Sequence, residues 1–384
     1  MNSKKYNIAI IANAVGDEGK NTALENLIDL LKPLSNEIFI IGDFPRSIEK
    51  NIHTIRIKVD MKRGSMLIKI IKFILTELRF SFNLIKISKK IDIVNFFGSD
   101  KVLSMLSAKI MRKRTIVSMG GRGSKSIEFV YNRSLFGTRG FFFLRILETL
   151  EMISLSLSDR IFVESESAVS FLNLSKYKKK ISANSAGAMY MDINLLKITK
   201  DLKDKRDLIG FISRFNEVKG IMNFVKAIPL ILKERRDLEF LIGGEGELFD
   251  KIQKELKDSG VYDKVELTGW IPHDELPNYL NELKLILLPS YSEGLPAIVQ
   301  EGMACGAVVL ATPVGSIPDV IKDGETGFIL EDNSPECIAK NVIRALEHPN
   351  LEEIVKNARN LIEEEYSYEV MVRKCRDSLD ELMR

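Results

Sequence analysis

Short uninterrupted apolar runs alternate along the chain with stretches in which apolar residues recur every three or four positions. The first run, Asn7–Ala12, lacks polar alternation, the pattern of a parallel strand buried on both faces. A loop with Gly16 and Gly19 follows, and Leu24, Leu27, Ile28 and Leu31 then give Thr22–Leu34 helical spacing. Further strands are predicted at Glu37–Ile41, Ile91–Phe96, Thr115–Ser118, Arg160–Val163, Leu208–Ile212, Glu239–Ile242, Lys264–Leu267, Leu283–Leu288 and Ala307–Ala311, with helix-patterned stretches between them. This alternation predicts an α/β architecture with parallel sheets. Over residues 187–207 the pattern lapses into small and polar residues and then the charged run KITKDLKDKRD. A linker is expected there, between an N-terminal domain at 1–190 and a C-terminal domain at 205–365.

Composition sharpens this division. The 384 residues, 45% hydrophobic and 28% charged, suit about two globular domains and exclude disordered and fibrous classes. The formal net charge of +3 is unevenly spread: 31 basic and 17 acidic residues over 1–190 give +14, and 25 and 36 over 191–384 give −11. Such asymmetry predicts domains with different partners. Cys305, Cys337 and Cys375 are far apart, an odd and sparse set that fits a reducing compartment. His53, His273 and His348 are equally scattered, so no zinc site is expected. Nothing near the N-terminus reads as a signal peptide and no stretch reaches the ~18–20 apolar residues of a transmembrane helix. The expectation is a cytoplasmic protein within reach of the membrane's inner face.

The most informative stretch is LILLPSYSEGLPAIVQEGMACG, Leu285–Gly306. A strand ends at Pro289-Ser290, a loop carries Glu293 and Gly294, and Pro296 is placed as the first residue of a helix running to about Ala304. The helix start offers N–H groups and a dipole to an anion, and Gly294 lets a ligand approach the backbone. Glu293 and Glu301 can grip hydroxyls at two points of a long polar ligand with its phosphates between them. A buried strand–helix corner with one solvated glutamate fits the same pattern. Upstream, LIGFIS runs into Arg214 and then Lys219-Gly220; two cations at the carboxyl end of a strand suit a diphosphate, although surface cations read the same way. Gly243-Gly244-Glu245-Gly246 permits a tight turn beside a ligand, and Gly269-Trp270-Ile271-Pro272 holds the single tryptophan of the chain.

Taken in order, ISRFNEVKG, GGEGE, LTGW, LPSYSEGLPAIVQEGMACGAVVLAT and GSIPDVIKDGETGF resemble the C-terminal half of the retaining glycosyltransferases of the GT-B fold, group 1, the large family that includes sucrose synthase and bacterial mannosyltransferases. The resemblance is strong over residues 205–335 and most specific in the Glu-x7-Glu element. It implies two Rossmann-like domains with parallel sheets facing an interdomain cleft, and a final helix, 366–384, crossing back to the first domain. It also implies roles. Arg214 and Lys219 would bind the donor diphosphate, Glu293 the sugar hydroxyls and Glu301 the ribose hydroxyls. Gly294, Leu295, Pro296 and Ala297 would lie against sugar and β-phosphate, and Gly244, Trp270 and Ile271 would border the nucleotide. The donor would be a nucleotide-sugar, most simply UDP-linked, and no metal or other cofactor would be required.

In the N-terminal half, ANAVGDEGKNT fails as a P-loop, because positions 14 and 21 hold Ala14 and Asn21 instead of glycine and a hydroxyl residue. By the resemblance Gly16 and Gly19 line the cleft. The segment TIVSMGGRGSKS lacks the histidine many family members carry and keeps Arg122-Gly123 of a Pro-Arg-Gly variant, so Arg122 is a candidate contact for acceptor or phosphate. Residues 61–90 hold eight basic residues and one acid, Glu77, once Asp60 is left outside. Lys69, Lys72, Arg79 and Lys86 fall on one helical face, and Leu67, Ile70, Ile71, Ile74, Leu78, Phe82 and Ile85 are expected on the opposite one. Such a helix can lie on an anionic membrane surface or pack on a core with its basic face solvated. No recognition motif supports nucleic-acid binding. The acceptor expected is a glycan or polyprenyl-linked sugar. A GT-B nucleotide-sugar epimerase and a non-catalytic nucleotide-sugar-binding protein are the alternatives.

Overall fold

The computed structural model describes residues 4–13, 18–44, 50–58, 66–119, 138–183 and 190–384. The chain forms two compact units, Met1–Met189 with Glu369–Arg384, and Tyr190–Tyr368.

The first unit is built on a seven-stranded sheet of β1 (Tyr6–Asn13), β2 (Ser35–Asp43), β3 (Ile52–Arg56), β4 (Ile93–Phe97), β5 (Arg114–Met119), β6 (Arg160–Val163) and β7 (Ile181–Ala183), in the order β3-β2-β1-β4-β5-β6-β7. Every pairing is parallel. Helices cover both faces, which is why Ile8, Ala9, Ile10 and Ile11 are all buried although their side chains alternate in direction. The helix Tyr368–Met383 belongs to this unit from Glu369 onward: the Tyr6 hydroxyl donates to Asp380 at 2.8 Å and Arg160 pairs with Glu381 at 2.8 Å.

The second unit carries a parallel sheet of β8 (Leu208–Ile212), β9 (Glu239–Gly243), β10 (Val265–Gly269), β11 (Leu285–Leu288), β12 (Val308–Ala311) and β13 (Phe328–Ile329), in the order β10-β9-β8-β11-β12-β13. Phe211, Phe224 and Phe240 pack together in its core, with ring centroids 5.9 and 6.2 Å apart. Each such burial contributes about 2–3 kcal/mol relative to exposure.

Three differences from the sequence reading have physical causes. The strands it missed, β3, β7 and β13, are all sheet edges; they are short, and half-exposed residues do not read as apolar runs. Residues 190–207, expected within a linker, fold onto the second unit: Met191 bridges to Ser367, Leu196 and Leu202 are buried, and the charged run buries Lys205. In the helix Met66–Ile87 the face turned to the core is that of Thr76, Glu77, Phe80, Ser81 and Leu84. The apolar row Ile71, Ile74, Leu78, Phe82 and Ile85 points outward, 44–58% exposed. The basic row lies beside it, not opposite, and Lys86 Nζ sits 4.3 Å from the centre of the Phe82 ring. No helix among the described residues is long and apolar enough to cross a membrane.

Candidate functional site

Strand order in the second sheet reverses between β8 and β11, the place where open α/β sheets bind ligands. These two strands pair only at Leu285–Ile209 and Ile286–Gly210, whereas β11 pairs with β12 over four residues. Pairing therefore ceases toward the carboxyl edge, and the loops that follow β8 and β11 are brought in from either side of the gap.

The loop after β8 is shaped locally. Asn216 Oδ1 accepts the Lys219 N–H at 3.1 Å, capping the short turn Glu217–Lys219. Gly220 has φ +70°, and a Cβ there would lie 1.9 Å from the Pro289 carbonyl oxygen, so only glycine fits. The Tyr291 N–H donates to the Val218 carbonyl at 2.8 Å. The two loops are thus strapped together, and Lys219 Nζ reaches both carboxylate oxygens of Glu293 at 2.7 and 2.8 Å. The pair is largely enclosed, with side chains 15% and 7% exposed. Arg214, at the start of the same loop, is exposed and forms no ion pair with the described residues.

Glu293 and Gly294 are clamped from a third loop. Gly315 has φ +61°, a Cβ there would lie 2.2 Å from the Glu293 carbonyl oxygen and 2.6 Å from that of Gly294, and the Ser316 N–H donates to Gly294 O at 2.9 Å. Leu295 is buried and anchors the turn. Pro296, expected as the first helical residue, is one position earlier: its ψ of 126° is extended, and the helix is Ala297–Ala304. The Val299 N–H donates to Pro296 O at 3.1 Å, so the leading N–H groups that come before any intrahelical partner are those of Ala297 and Ile298. The far end of the helix is held by two cations. Arg359 Nη1 donates to Ala304 O at 2.6 Å, and Lys205 Nζ donates to Cys305 O at 2.9 Å and Leu280 O at 3.2 Å. Both complement the negative end of the helix dipole. Burial pushes the Lys205 ammonium down to about 8.

Glu301, the fifth residue of that helix and about one turn into it, is 6% exposed, and His273 Nε2 lies 2.9 Å from its Oε1. The hydrogen bond to this carboxylate, with added attraction from Asp274, raises the imidazole above its ordinary value against the opposing effect of burial. His273 follows Trp270 and Ile271 in the loop after β10. Ile271 is buried against Gly243, Trp270 is exposed, and the Gly244 N–H donates to Gly269 O at 2.7 Å.

The second unit thus holds Arg214, Lys219, Gly244, Trp270, Ile271, Glu293, Gly294, Leu295, Pro296, Ala297 and Glu301 on loops at one sheet edge or in the helix that begins there. Gly19 falls in the first turn of the helix Glu18–Leu31 of the other unit, and Gly16 and Arg122 lie outside the described residues. Sequence reasoning weighed His273 only as a metal ligand. Its signal was its place two residues after Ile271, in the loop already singled out. Asn216 and Gly315 were inside quoted motifs without being singled out.

The sequence pattern of the family described as "Glycosyl transferases group 1" matches residues 193–361, nearly all of the second unit. Over this stretch the chain is similar to the glycosyl transferases group 1. The chain is 28% identical over 240 residues to an uncharacterized glycosyltransferase of Methanocaldococcus jannaschii, covering 60% of each. It is 30% identical over 182 residues to the N-acetyl-alpha-D-glucosaminyl L-malate synthase of Bacillus anthracis, covering 47% of each. The matches span 60%, 48% and 43% of the lengths of the first three curated relatives. The crystal structure of Anabaena HepE in complex with UDP superposes with a TM-score of 0.74 over 98% of this chain and 100% of that one, at 15% identity. That likeness is one of fold: two Rossmann-like units of the GT-B class.

Proposed function

We propose that this protein is a group 1 glycosyltransferase that moves a hexose or N-acetylhexosamine from a UDP-sugar to a lipid-linked or cell-surface glycan acceptor, with retention of anomeric configuration. The observation that carries the reading is the meeting of Lys219, Glu293 and the start of the Ala297–Ala304 helix at one sheet edge. UDP is the choice because HepE, of the same fold, holds UDP.

In this reading Arg214, Lys219 and the leading N–H groups of the helix bind the diphosphate. Negative charge grows on that group as its bond to the anomeric carbon breaks, so fixed positive charge lowers the barrier more than it tightens ground-state binding. The acceptor oxygen forms its bond on the same face, and its proton passes to the departing diphosphate oxygen. Glu293 holds sugar hydroxyls, and Glu301 holds those of the ribose. The −11 charge of this half would repel a diphosphate, so the attraction must be local. The positive charge required is supplied by side chains and helix rather than by a metal. The first unit binds the acceptor, with Gly19 and Arg122 as its candidate contacts, and Gly16 borders the donor. The outward apolar row of Met66–Ile87, flanked by Lys72, Arg79 and Lys86, holds the protein to an anionic membrane surface as a peripheral protein on the cytoplasmic side.

The deciding experiment incubates the full chain with UDP- and GDP-sugars and a polyprenyl-linked acceptor, with and without EDTA. Released nucleotide and the anomer of the product are measured. Acceptor-dependent UDP release, unchanged by EDTA and giving the donor's anomer, is expected. An epimerised donor without UDP release would identify an epimerase, and binding without turnover a non-catalytic binder.

A further inference from the structure

Glu301 is a carboxylate enclosed in a helix, and a buried carboxylate is costly unless hydrogen-bonded. The bond it has comes from another element. His273 Nε2 lies 2.9 Å from Oε1, while the imidazole itself is 68% exposed. Three contacts hold the loop that carries the ring. Gly269 O accepts the Gly244 N–H at 2.7 Å, Ile271 is buried against Gly243, and Pro272 O accepts the Glu275 and Leu276 N–H groups at 3.0 Å each. The ring therefore rides a braced loop at the rim of the carboxylate. A carboxylate has two oxygens with about four acceptor positions. His273 uses one on Oε1, and Oε2 makes no bond with the described residues.

We propose that His273 is a positioning residue that determines specificity: by donating to Oε1 it orients Glu301 so that Oε2 is presented to the vicinal hydroxyls of a nucleoside diphosphate's ribose. The proposal rests on the donor-site reading above. Charge supports it independently. An anionic ligand approaching an unpaired Glu301 would be repelled, and an imidazolium beside the carboxylate offsets that repulsion. Glu301 and Asp274 are the charged groups that act on the ring, and both favour its protonated form.

The test is calorimetric titration of the full chain with UDP and with 2′-deoxy-UDP, which lacks one ribose hydroxyl, alongside donor KM and kcat. Wild type is expected to prefer UDP, and E301A to bind the two alike. H273A is expected to weaken UDP binding about tenfold, the scale of one lost charge-assisted hydrogen bond. It should leave 2′-deoxy-UDP nearly unchanged and raise KM with little effect on kcat. H273Q, which keeps an N–H donor, recovers most of the preference; H273F, which keeps ring volume without a donor, behaves like H273A and guards against a loop that collapses on truncation. Wild-type affinity and preference retained in H273A and H273F, or tighter UDP binding by them, overturn the role of His273 while the donor site stands. Failure of wild type to bind UDP, or unchanged UDP binding by E301A, overturns the donor-site reading and this proposal with it.

Discussion

Lys219 and Glu293, 74 residues apart in the chain, close onto each other so that one ammonium nitrogen serves both carboxylate oxygens, at 2.7 and 2.8 Å. Neither charge is fully available to a ligand while the pair is intact. If Lys219 grips diphosphate and Glu293 grips sugar, donor binding must divide the pair between two parts of one molecule. E293A should then free the ammonium and tighten UDP several-fold, while turnover of the UDP-sugar falls by about 100-fold or more, the scale of losing an interaction made in the transition state. Calorimetry with UDP and a nucleotide-release assay read the two effects separately. Parallel loss of both would refute this division of roles.

Removing the other partner has the opposite sign. K219A leaves an enclosed carboxylate without its cation, so the second unit should lose about 2 kcal/mol of stability and UDP binding together. The K219A/E293A double variant should recover most of the stability and none of the turnover. Urea unfolding of the four proteins gives the coupling energy, which would be near zero if the pair contributed nothing.

Gly315 tests how the Glu293–Gly294 turn is held. Its φ is +61°, and a Cβ would lie 2.2 Å from the Glu293 carbonyl oxygen. G315A must push that turn away from its place beside the helix start. Turnover is expected to fall by more than tenfold, from misplacement of a group bound to substrate, with the fold of the unit intact by circular dichroism. Wild-type kinetics in G315A would mean that the clamp is dispensable.

Glu77 gives the first unit a pH-dependent stability. It is 2% exposed on the core-facing side of Met66–Ile87, and burial pushes its carboxyl up to about 7. Lys101 works against the shift, as do the Ser104 N–H and hydroxyl, each 3.2 Å from Oε2. The folded state binds this proton more tightly than the unfolded one. Its contribution is therefore complete below the ordinary value of 4.5 and is lost as pH rises through about 7. Wild type should be less stable at pH 8 than at pH 5 by up to about 3 kcal/mol from this group, and E77Q should flatten the difference. Urea unfolding at the two pH values decides, and an equal pH dependence in E77Q would remove Glu77 as its source.

Legibility followed burial. Central strands such as β6 and β8 matched the sequence reading to the residue, because burial on both faces leaves an unbroken apolar run. The edge strands β3, β7 and β13 carry no such run. The loops bearing Lys219 and Glu293 could be found from residue order, but not the ion pair between them, which depends on the Gly220–Pro289 and Tyr291–Val218 contacts. His273 was illegible for the same reason: its partner is 28 residues away, and the hydrogen bond exists only once the loop after β10 meets the Ala297–Ala304 helix. On Met66–Ile87 the basic row was expected opposite the apolar one and lies beside it, and residue pattern alone does not show that Glu77 and Ser81, rather than the apolar row, are turned inward.

That outward face carries the last prediction. Ile74, Leu78 and Phe82 form an exposed apolar row, and Lys72, Arg79 and Lys86, spaced by seven, run alongside it. An interfacial helix needs this combination: apolar side chains enter the acyl boundary while flanking cations meet anionic headgroups. At about 1 kcal/mol for each cation near the surface, replacing all three by glutamine should weaken binding to anionic vesicles by about 100-fold. L78E/F82E should abolish it even at low salt, because it puts acids where lipid contact is required. Both variants should keep wild-type UDP affinity, since the changes lie in the other unit. Vesicle co-sedimentation with and without anionic lipid measures the first effect, and calorimetry the second. If L78E/F82E instead converted a lipid-independent dimer to monomers in gel filtration while vesicle binding stayed unchanged, the row would be a protein interface and the membrane assignment would fail.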